Sequence, residues 1–250
     1  CRRDARRVDN RGGSGVSPQG NCARVEGMAP SDIRALWEDR LGRLWIGTHG
    51  AGLWRWADGR LRVFTVADML AADHVWALCE GGDGVMWIGT RQGISRLQGD
   101  RIVSLTQQHG LPEPLVNSVV DDSHGRLWFG GDRGIYWVSK EAFSAVAEGR
   151  ARRLTVATYG VEDGMLVAET NGQKSGPPVW RTRNGRLWFP TPRGAVWFDP
   201  EALVQAHAPP QVVIDEVRVA GETVCRDGRW RGGQGGAASA GSQWARPAVL

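Results

Sequence analysis

Four near-copies of one heptapeptide, each framed by glycine-centred turns and spaced about one blade apart, predict an all-β fold: a partial β-propeller of about four four-stranded blades. The copies are GRLWIGT at 42–48, GVMWIGT at 84–90, GRLWFGG at 125–131 and GRLWFPT at 185–191. Their tryptophans, Trp45, Trp87, Trp128 and Trp188, lie 42, 41 and 60 residues apart. A propeller blade takes about 40–45 residues, so two intervals are one blade each and the third carries an insertion. The 35 glycines and 13 tryptophans fit many short strands joined by tight turns.

In the first copy, Ile33–Glu38 is an apolar-rich strand that stops at Asp39-Arg40-Leu41-Gly42. Asp bonds its own downstream backbone, and Gly supplies the positive φ of a tight hairpin. Arg43–Thr48 is the second strand, with Leu44 and Ile46 on one face and Trp45 on the other. Gly50-Ala51-Gly52 turns into a third strand at Leu53–Ala57, and Asp58-Gly59 into a fourth at Arg60–Val66. The second copy repeats the plan at Val75–Cys79, Val85–Thr90, Ile94–Leu97 and Arg101–Leu105. The third runs through Val116–Val120, Arg126–Gly130 and Ile135–Val138. Lys140–Glu148 (KEAFSAVAE) then has helix formers and no turn residue, which predicts a short helical insertion before a fourth strand at Arg152–Tyr159. The last copy shows Val179–Thr182, Arg186–Phe189 and Ala195–Phe198. The expected blades are thus about 31–66, 74–106, 115–160 and 177–200, within a propeller segment at 31–200.

The repeated tryptophan reads as structure. Each blade buries both faces against its neighbours, and an indole that covers about 150–250 Å² fills the widening wedge between them. Trp45, Trp87, Trp128 and Trp188 are therefore expected as the repeat core, joined by Trp54, Trp137 and Trp197 of the third strands.

The net charge of +4 suggests nucleic acid until it is mapped. Residues 1–32 hold six Arg against four acids, and 225–250 hold four Arg against one, so 33–224 carry −1. A neutral repeat body excludes an electrostatic footprint for DNA or RNA. Cys1, Cys22, Cys79 and Cys225 show no metal spacing, and Cys79 reads as a small core residue. No apolar run approaches the ~18 residues of a membrane span, and no signal-peptide core is visible. The stretches 1–30 and 225–250 lack periodicity and are expected to be disordered, as non-native ends of a piece of a longer gene product.

DRLGRLWIGTHGAGLWRW resembles the two-component regulator propeller repeat of the sensor regions of bacterial hybrid histidine kinases and some diguanylate cyclases. YGVEDGMLVAETNGQKSGPPVWRTRNGRLWFPTPRGAVWFDP is similar to that family's final blade, with its Asp-Gly-Met lead-in, Asn171-Gly172 pair and WFPT strand. APPQVVIDEVRVAGETV, residues 208–224, is similar to the opening of the triple-tyrosine β-sandwich that follows such propellers. Three departures stand out. The usual Asp-x-x-Gly turn is Gly-Gly-Asp-Gly in the second copy and Arg-Asn-Gly in the last, and the stretch between Asn171 and Trp180 is one residue longer than usual. The only tyrosines, Tyr136 and Tyr159, lie upstream of the sandwich.

The resemblance implies a non-enzymatic, signal-input segment on the periplasmic side of an inner-membrane receptor, with no cofactor and no membrane contact of its own. Its partners would be a small-molecule or oligosaccharide signal, the remaining blades and sandwich of the receptor, and a second copy in a homodimer. Four blades alone are expected to leave open ends and a chain that is marginal or associates. Ligands of propellers usually meet the axial face, where inner strands begin. Those starts align as Asp32-Ile33-Arg34, His74-Val75-Trp76 and Leu115-Val116-Asn117. Asp32, Arg34, His74, Trp76 and Asn117 are polar or aromatic where packing alone favours Val or Ala, a mixture suited to a polar ligand such as a sugar. Two alternatives remain: a propeller lyase of the streptogramin-cleaving type, and a protein–protein scaffold. A lyase needs a converging acid/base or metal site. His49, His74, His109, His124 and His207 fall in turns or linkers and are expected not to converge, and no nucleophile elbow or P-loop is present.

Overall fold

Each of these glycine-centred turns closes an antiparallel hairpin in the computed structural model, which describes residues 31–170 and 179–205 and short strands at 14–16, 22–24, 216–219, 222–226 and 229–230. β1 (Ser14–Val16) and β2 (Cys22–Arg24) pair with each other, in a stretch where the sequence shows no alternation. The first blade is β3 (Ile33–Glu38), β4 (Leu44–Thr48), β5 (Leu53–Ala57) and β6 (Arg60–Phe64) in simple up-and-down order. The second is β7 (Val75–Glu80), β8 (Met86–Thr90), β9 (Gly93–Gln98) and β10 (Arg101–Leu105). The third is β11 (Ser118–Asp121), β12 (Arg126–Gly130), β13 (Ile135–Ser139) and β14 (Thr158–Tyr159), with helix α1 (Lys140–Ala147) inserted before β14. The fourth has three strands among the described residues: β15 (Trp180–Arg181), β16 (Leu187–Thr191) and β17 (Gly194–Phe198), followed by α2 (Pro200–Gln205). Residues 205–250 cluster as a separate unit, in which β18 (Glu216–Val219), β19 (Glu222–Arg226) and β20 (Arg229–Trp230) form a three-stranded sheet. The expected disorder of 1–30 and 225–250 is thus interrupted by short strands, and the rest of those stretches lies outside the described residues.

Why the second-turn glycines recur is a matter of clearance. A Cβ on Gly52, Gly93 or Gly134 would stand 2.2 Å from the carbonyl oxygen of Phe64, Leu105 or Tyr159 in the outer strand. Gly194 of the fourth blade has nothing within 4 Å, in keeping with a sheet that has no outer strand among the described residues.

In the first and third blades the tryptophan is sealed by the outer strand of its own sheet and by the next blade. Trp45 stacks on Phe64 and packs on Leu78, Met86, Ile88, Leu97 and Ile102 of the second blade. Trp128 meets Tyr159 of its own blade and Phe198, Leu187 and Phe189 of the fourth. In the second blade the position of Phe64 and Tyr159 is Leu105, which is too small to cover an indole, and α1 compensates. Its Phe143 is fully buried, edge-on to Trp87 at 4.9 Å. The helical insertion is therefore a packing element. It also corrects the outer strand expected at Arg152–Tyr159, of which only Thr158–Tyr159 pairs, because Leu154 turns in to the α1 core and donates its N–H to His109 O at 2.7 Å.

Trp45, Trp87 and Trp128 are 2 %, 1 % and 0 % exposed, whereas Trp188 is 37 % and Trp197 48 % exposed. The expected core role of Trp188 and Trp197 is corrected accordingly: among the described residues no blade follows the fourth to cover them. Burial pushes the Cys79 thiol up to about 12, as befits a core cysteine.

The first-strand turn carries a second duty. Asp39 accepts from Leu41 N–H, Arg43 N–H and Arg43 Nε at 2.9, 2.9 and 2.6 Å, and from Trp45 Nε1 at 2.7 Å. Asp122 does the same for His124 N–H, Arg126 N–H, Arg126 Nε and Trp128 Nε1. The second blade has Gly81 at this place, and the Trp87 indole N–H is left without a partner. There Lys140 of α1 bonds Asp121, which also accepts from Gly82 N–H, so that the helix fastens the turn.

Candidate functional site

A bulge opens the inner strand of each of the first two blades. Ile33 pairs with Thr48 and Ala35 with Gly47, which leaves Arg34 as the extra residue. Val75 pairs with Thr90 and Ala77 with Gly89, which leaves Trp76 extra. A bulged residue escapes the strict in-and-out alternation, and its side chain is re-aimed. The two re-aimed side chains meet: Arg34 Cζ lies 4.9 Å from the centre of the Trp76 ring, while its Nη2 bonds Asp32 Oδ2 at 2.5 Å.

The hairpin between β4 and β5 completes the cluster. His49 N–H donates to Asp32 O at 2.8 Å, and His49 pairs across an isolated antiparallel bridge with His74 of the second blade. Their rings stand nearly perpendicular with centres 4.6 Å apart, and His49 also meets the Trp76 ring edge-on at 5.6 Å. The backbone around them is tied down: Gly50 and Gly52 N–H groups donate to Asp73 O, and Arg91 N–H donates to His74 O. Burial lowers the His74 pKa from its ordinary value; His49 and Arg91 push in the same direction, and Asp73 opposes them.

Asp32, Arg34, His74 and Trp76 are thus brought together at the junction of the first two blades. Asn117 is not with them. It is fully buried, its Nδ2 donates to Thr170 O at 2.7 Å, and its Oδ1 accepts from Thr170 Oγ1 at 2.9 Å. At the same repeat position as Arg34 and Trp76, Asn117 is a clasp on the segment leading out of the third blade. Trp76 also differs from expectation in its use. It is 8 % exposed, with Arg34 and His49 against it, so its ring is largely covered rather than presented as an open face.

His49 is the residue that sequence reasoning missed. The sequence places the five histidines in unrelated turns and linkers; His49 and His74 converge because neighbouring blades bring hairpin and connector together. Glu113 was missed too. It is buried and accepts from Asp132 and Arg133 N–H at 2.8 and 3.1 Å, bracing the β12–β13 hairpin. Burial raises its carboxyl pKa, against the pull of those two amides. Among the described residues no three His, Cys, Asp or Glu side chains gather to hold a metal ion, and no helix is long and apolar enough to cross a membrane.

Residues 69–92 and 110–133 match the family described as two component regulator propeller. Each match runs from the connector through the inner strand and the tryptophan strand to the next hairpin. A relative, histidine kinase P4 of Formosa agariphila, is 23% identical over 202 residues, which is 77% of this chain and 14% of that protein. The extracellular domains of two hybrid two component systems of B. thetaiotaomicron share the fold. One has a TM-score of 0.60 at 23% identity, over 76% of this chain and 24% of that one; the other has 0.56 at 16%, over 69% and 24%. Virginiamycin B lyase from Staphylococcus aureus aligns with a TM-score of 0.55 at 15% identity, over 76% of this chain and 63% of the lyase. The chain thus spans about a seventh of the kinase and about a quarter of each extracellular domain. The segments at 69–92 and 110–133 are two component regulator propeller repeats, set in an all-β propeller arc.

Proposed function

We propose that this chain is part of the signal-input propeller of a bacterial two-component receptor, and that Asp32, Arg34, His49, His74 and Trp76 are where it meets its signal. The observation that carries the site is the paired bulge, which turns Arg34 and Trp76 of adjacent blades onto one another beside two histidines. The repeats at 69–92 and 110–133 and the kinase relative support the receptor assignment. In this reading the segment lies on the periplasmic side, the signal is a small polar molecule or an oligosaccharide, and the junction of blades converts its binding into strain passed to a kinase or cyclase output. The rest of the propeller, the sandwich and a second receptor copy would be its partners.

A thermal-shift screen of glycans and metabolites on the complete extracellular region tests this. A ligand whose shift disappears in Arg34→Ala and shrinks in His49→Ala is the expected result. Ligands that stabilise wild type and both variants equally would remove the site. The lyase alternative has the His49–His74 contact in its favour and predicts turnover of quinupristin to a ring-opened isomer of the same mass, for which reversed-phase chromatography is expected to show none. Capture of a protein partner by the same region, unchanged by Arg34→Ala, would favour the scaffold reading.

A further inference from the structure

We infer that Glu113 is a strap that makes the β12–β13 hairpin open and close together with the connector entering the third blade, a coupling that the equivalent hairpins of the other blades lack. This stands independently of what binds at the first blade junction.

The second and third strands of each blade are joined by a hairpin, and three of the four close on a threonine of their own. Thr48 Oγ1 donates to Gly52 O at 2.7 Å and accepts from Ala51 N–H at 2.9 Å. Thr90 Oγ1 serves Gly93 O and Gln92 N–H at 2.9 and 3.2 Å. Thr191 Oγ1 serves Gly194 O and Arg193 N–H at 3.2 and 3.3 Å. In the third blade the residue at this place is Gly131. Its turn amides, Asp132 N–H and Arg133 N–H, donate to the carboxylate of Glu113, 19 and 20 residues upstream. A Cβ on Gly131 would stand 2.3 Å from Glu113 Oε1, so the carboxylate occupies the space that a threonine side chain would fill.

The strap is stiff and anchored. Glu113 lies between Pro112 and Pro114, whose rings fix φ, and Val116 N–H donates to Thr90 O at 2.9 Å. The outgoing segment grips the same turn, since Gly131 O accepts from Thr170 N–H and Oγ1 at 2.9 and 3.2 Å. Glu113 is 2 % exposed. A hairpin that opens alone leaves a buried carboxylate without its two donors, and a connector that moves alone strands two amides. Each partial opening carries the cost of unpaired buried groups, so the two elements move as one.

The test is amide hydrogen exchange by NMR on the full chain. Glu113→Ala is expected to speed exchange at Asp132 and Arg133 roughly 10-fold or more, with Ala51, Gln92 and Arg193 unchanged. Pro114→Gly, at an exposed position of the connector, should speed the same two amides roughly 2- to 5-fold, because a looser connector carries Glu113 with it. Gly131 lies outside the left-handed region, so a threonine fits there once the carboxylate is gone. The double variant Glu113→Ala/Gly131→Thr should restore slow exchange and make it indifferent to Pro114→Gly. Unchanged exchange at Asp132 and Arg133 in Glu113→Ala would overturn the strap. So would a double variant that still responds to Pro114→Gly as the wild type does. If Glu113→Ala does not fold, Pro114→Gly in the otherwise wild-type chain decides alone: no acceleration at Asp132 and Arg133 overturns the coupling.

Discussion

Asp39→Ala asks how much of a blade hangs on one carboxylate. The side chain is nearly fully buried and serves two backbone N–H groups, one guanidinium and the Trp45 indole. Removing it strands the indole N–H, itself on a buried side chain, and two partly buried amides. A buried donor left unpaired costs about 1–3 kcal/mol; with the amides partly reaching water, the expected loss is about 2–4 kcal/mol. Arg43 is partly exposed and finds water, so it adds little. Urea unfolding followed by far-UV circular dichroism measures the loss, and a double-mutant cycle with Trp45→Phe, which keeps a ring and deletes the N–H, isolates the indole bond. Coupling of about 1 kcal/mol is expected. The acid arm gives a second reading. Burial raises the Asp39 carboxyl, but Trp45 and Arg43 outweigh it and hold the pKa below its ordinary value. That stabilisation is present above the ordinary carboxyl range and is lost as pH falls through the depressed value. Asp39→Ala should therefore flatten the acid arm. A loss below about 0.5 kcal/mol, within the range of ordinary surface substitutions, or zero coupling to Trp45, would refute the reasoning.

Met69 sits in the left-handed region at φ 72°, where Gly110 and Gly164 stand in the next two connectors, and it is largely exposed. Met69→Gly is expected to stabilise by about 0.5–1 kcal/mol, read as a rise in Tm. Phe143→Ala removes the ring against Trp87 and should cost about 3–5 kcal/mol in denaturant unfolding, with Phe143→Leu recovering part of it. For Glu113 the sign is opposite to that of Asp39. Its raised pKa means the folded chain holds the proton more tightly, so wild-type stability falls as pH rises from the ordinary carboxyl value through the raised one. In Glu113→Gln, urea unfolding across that window should lose this slope.

The strands and turns are legible because each is written locally. Glycine at 42, 84, 125 and 185 needs only its own positive φ, and Asp39 and Asp122 bond backbone within four residues. The tryptophan spacing likewise exposes the repeat without any partner being known. Features beyond the reach of sequence depend on residues far apart in the chain. KEAFSAVAE reads as a helix, but its purpose, lending Phe143 to a blade whose outer strand offers only Leu105, is visible only once the two are side by side. The Gly-Gly-Asp-Gly departure reads as a variant turn; its consequence, an indole N–H without a partner, belongs to the fold.

The candidate site divides the same way. Counting back from each tryptophan aligns Arg34, Trp76 and Asn117 as equivalents, and they are equivalent in position. Tertiary contact makes them unlike. Arg34 and Trp76 are bulged onto one another beside His49 and His74, while Asn117 is sealed against Thr170. Sequence by itself determined the repeat, the strand order and the turns, because periodicity and hairpin chemistry act within a few residues. The structure alone decided which of the aligned residues face one another, since neighbouring blades are joined by packing that no local pattern records.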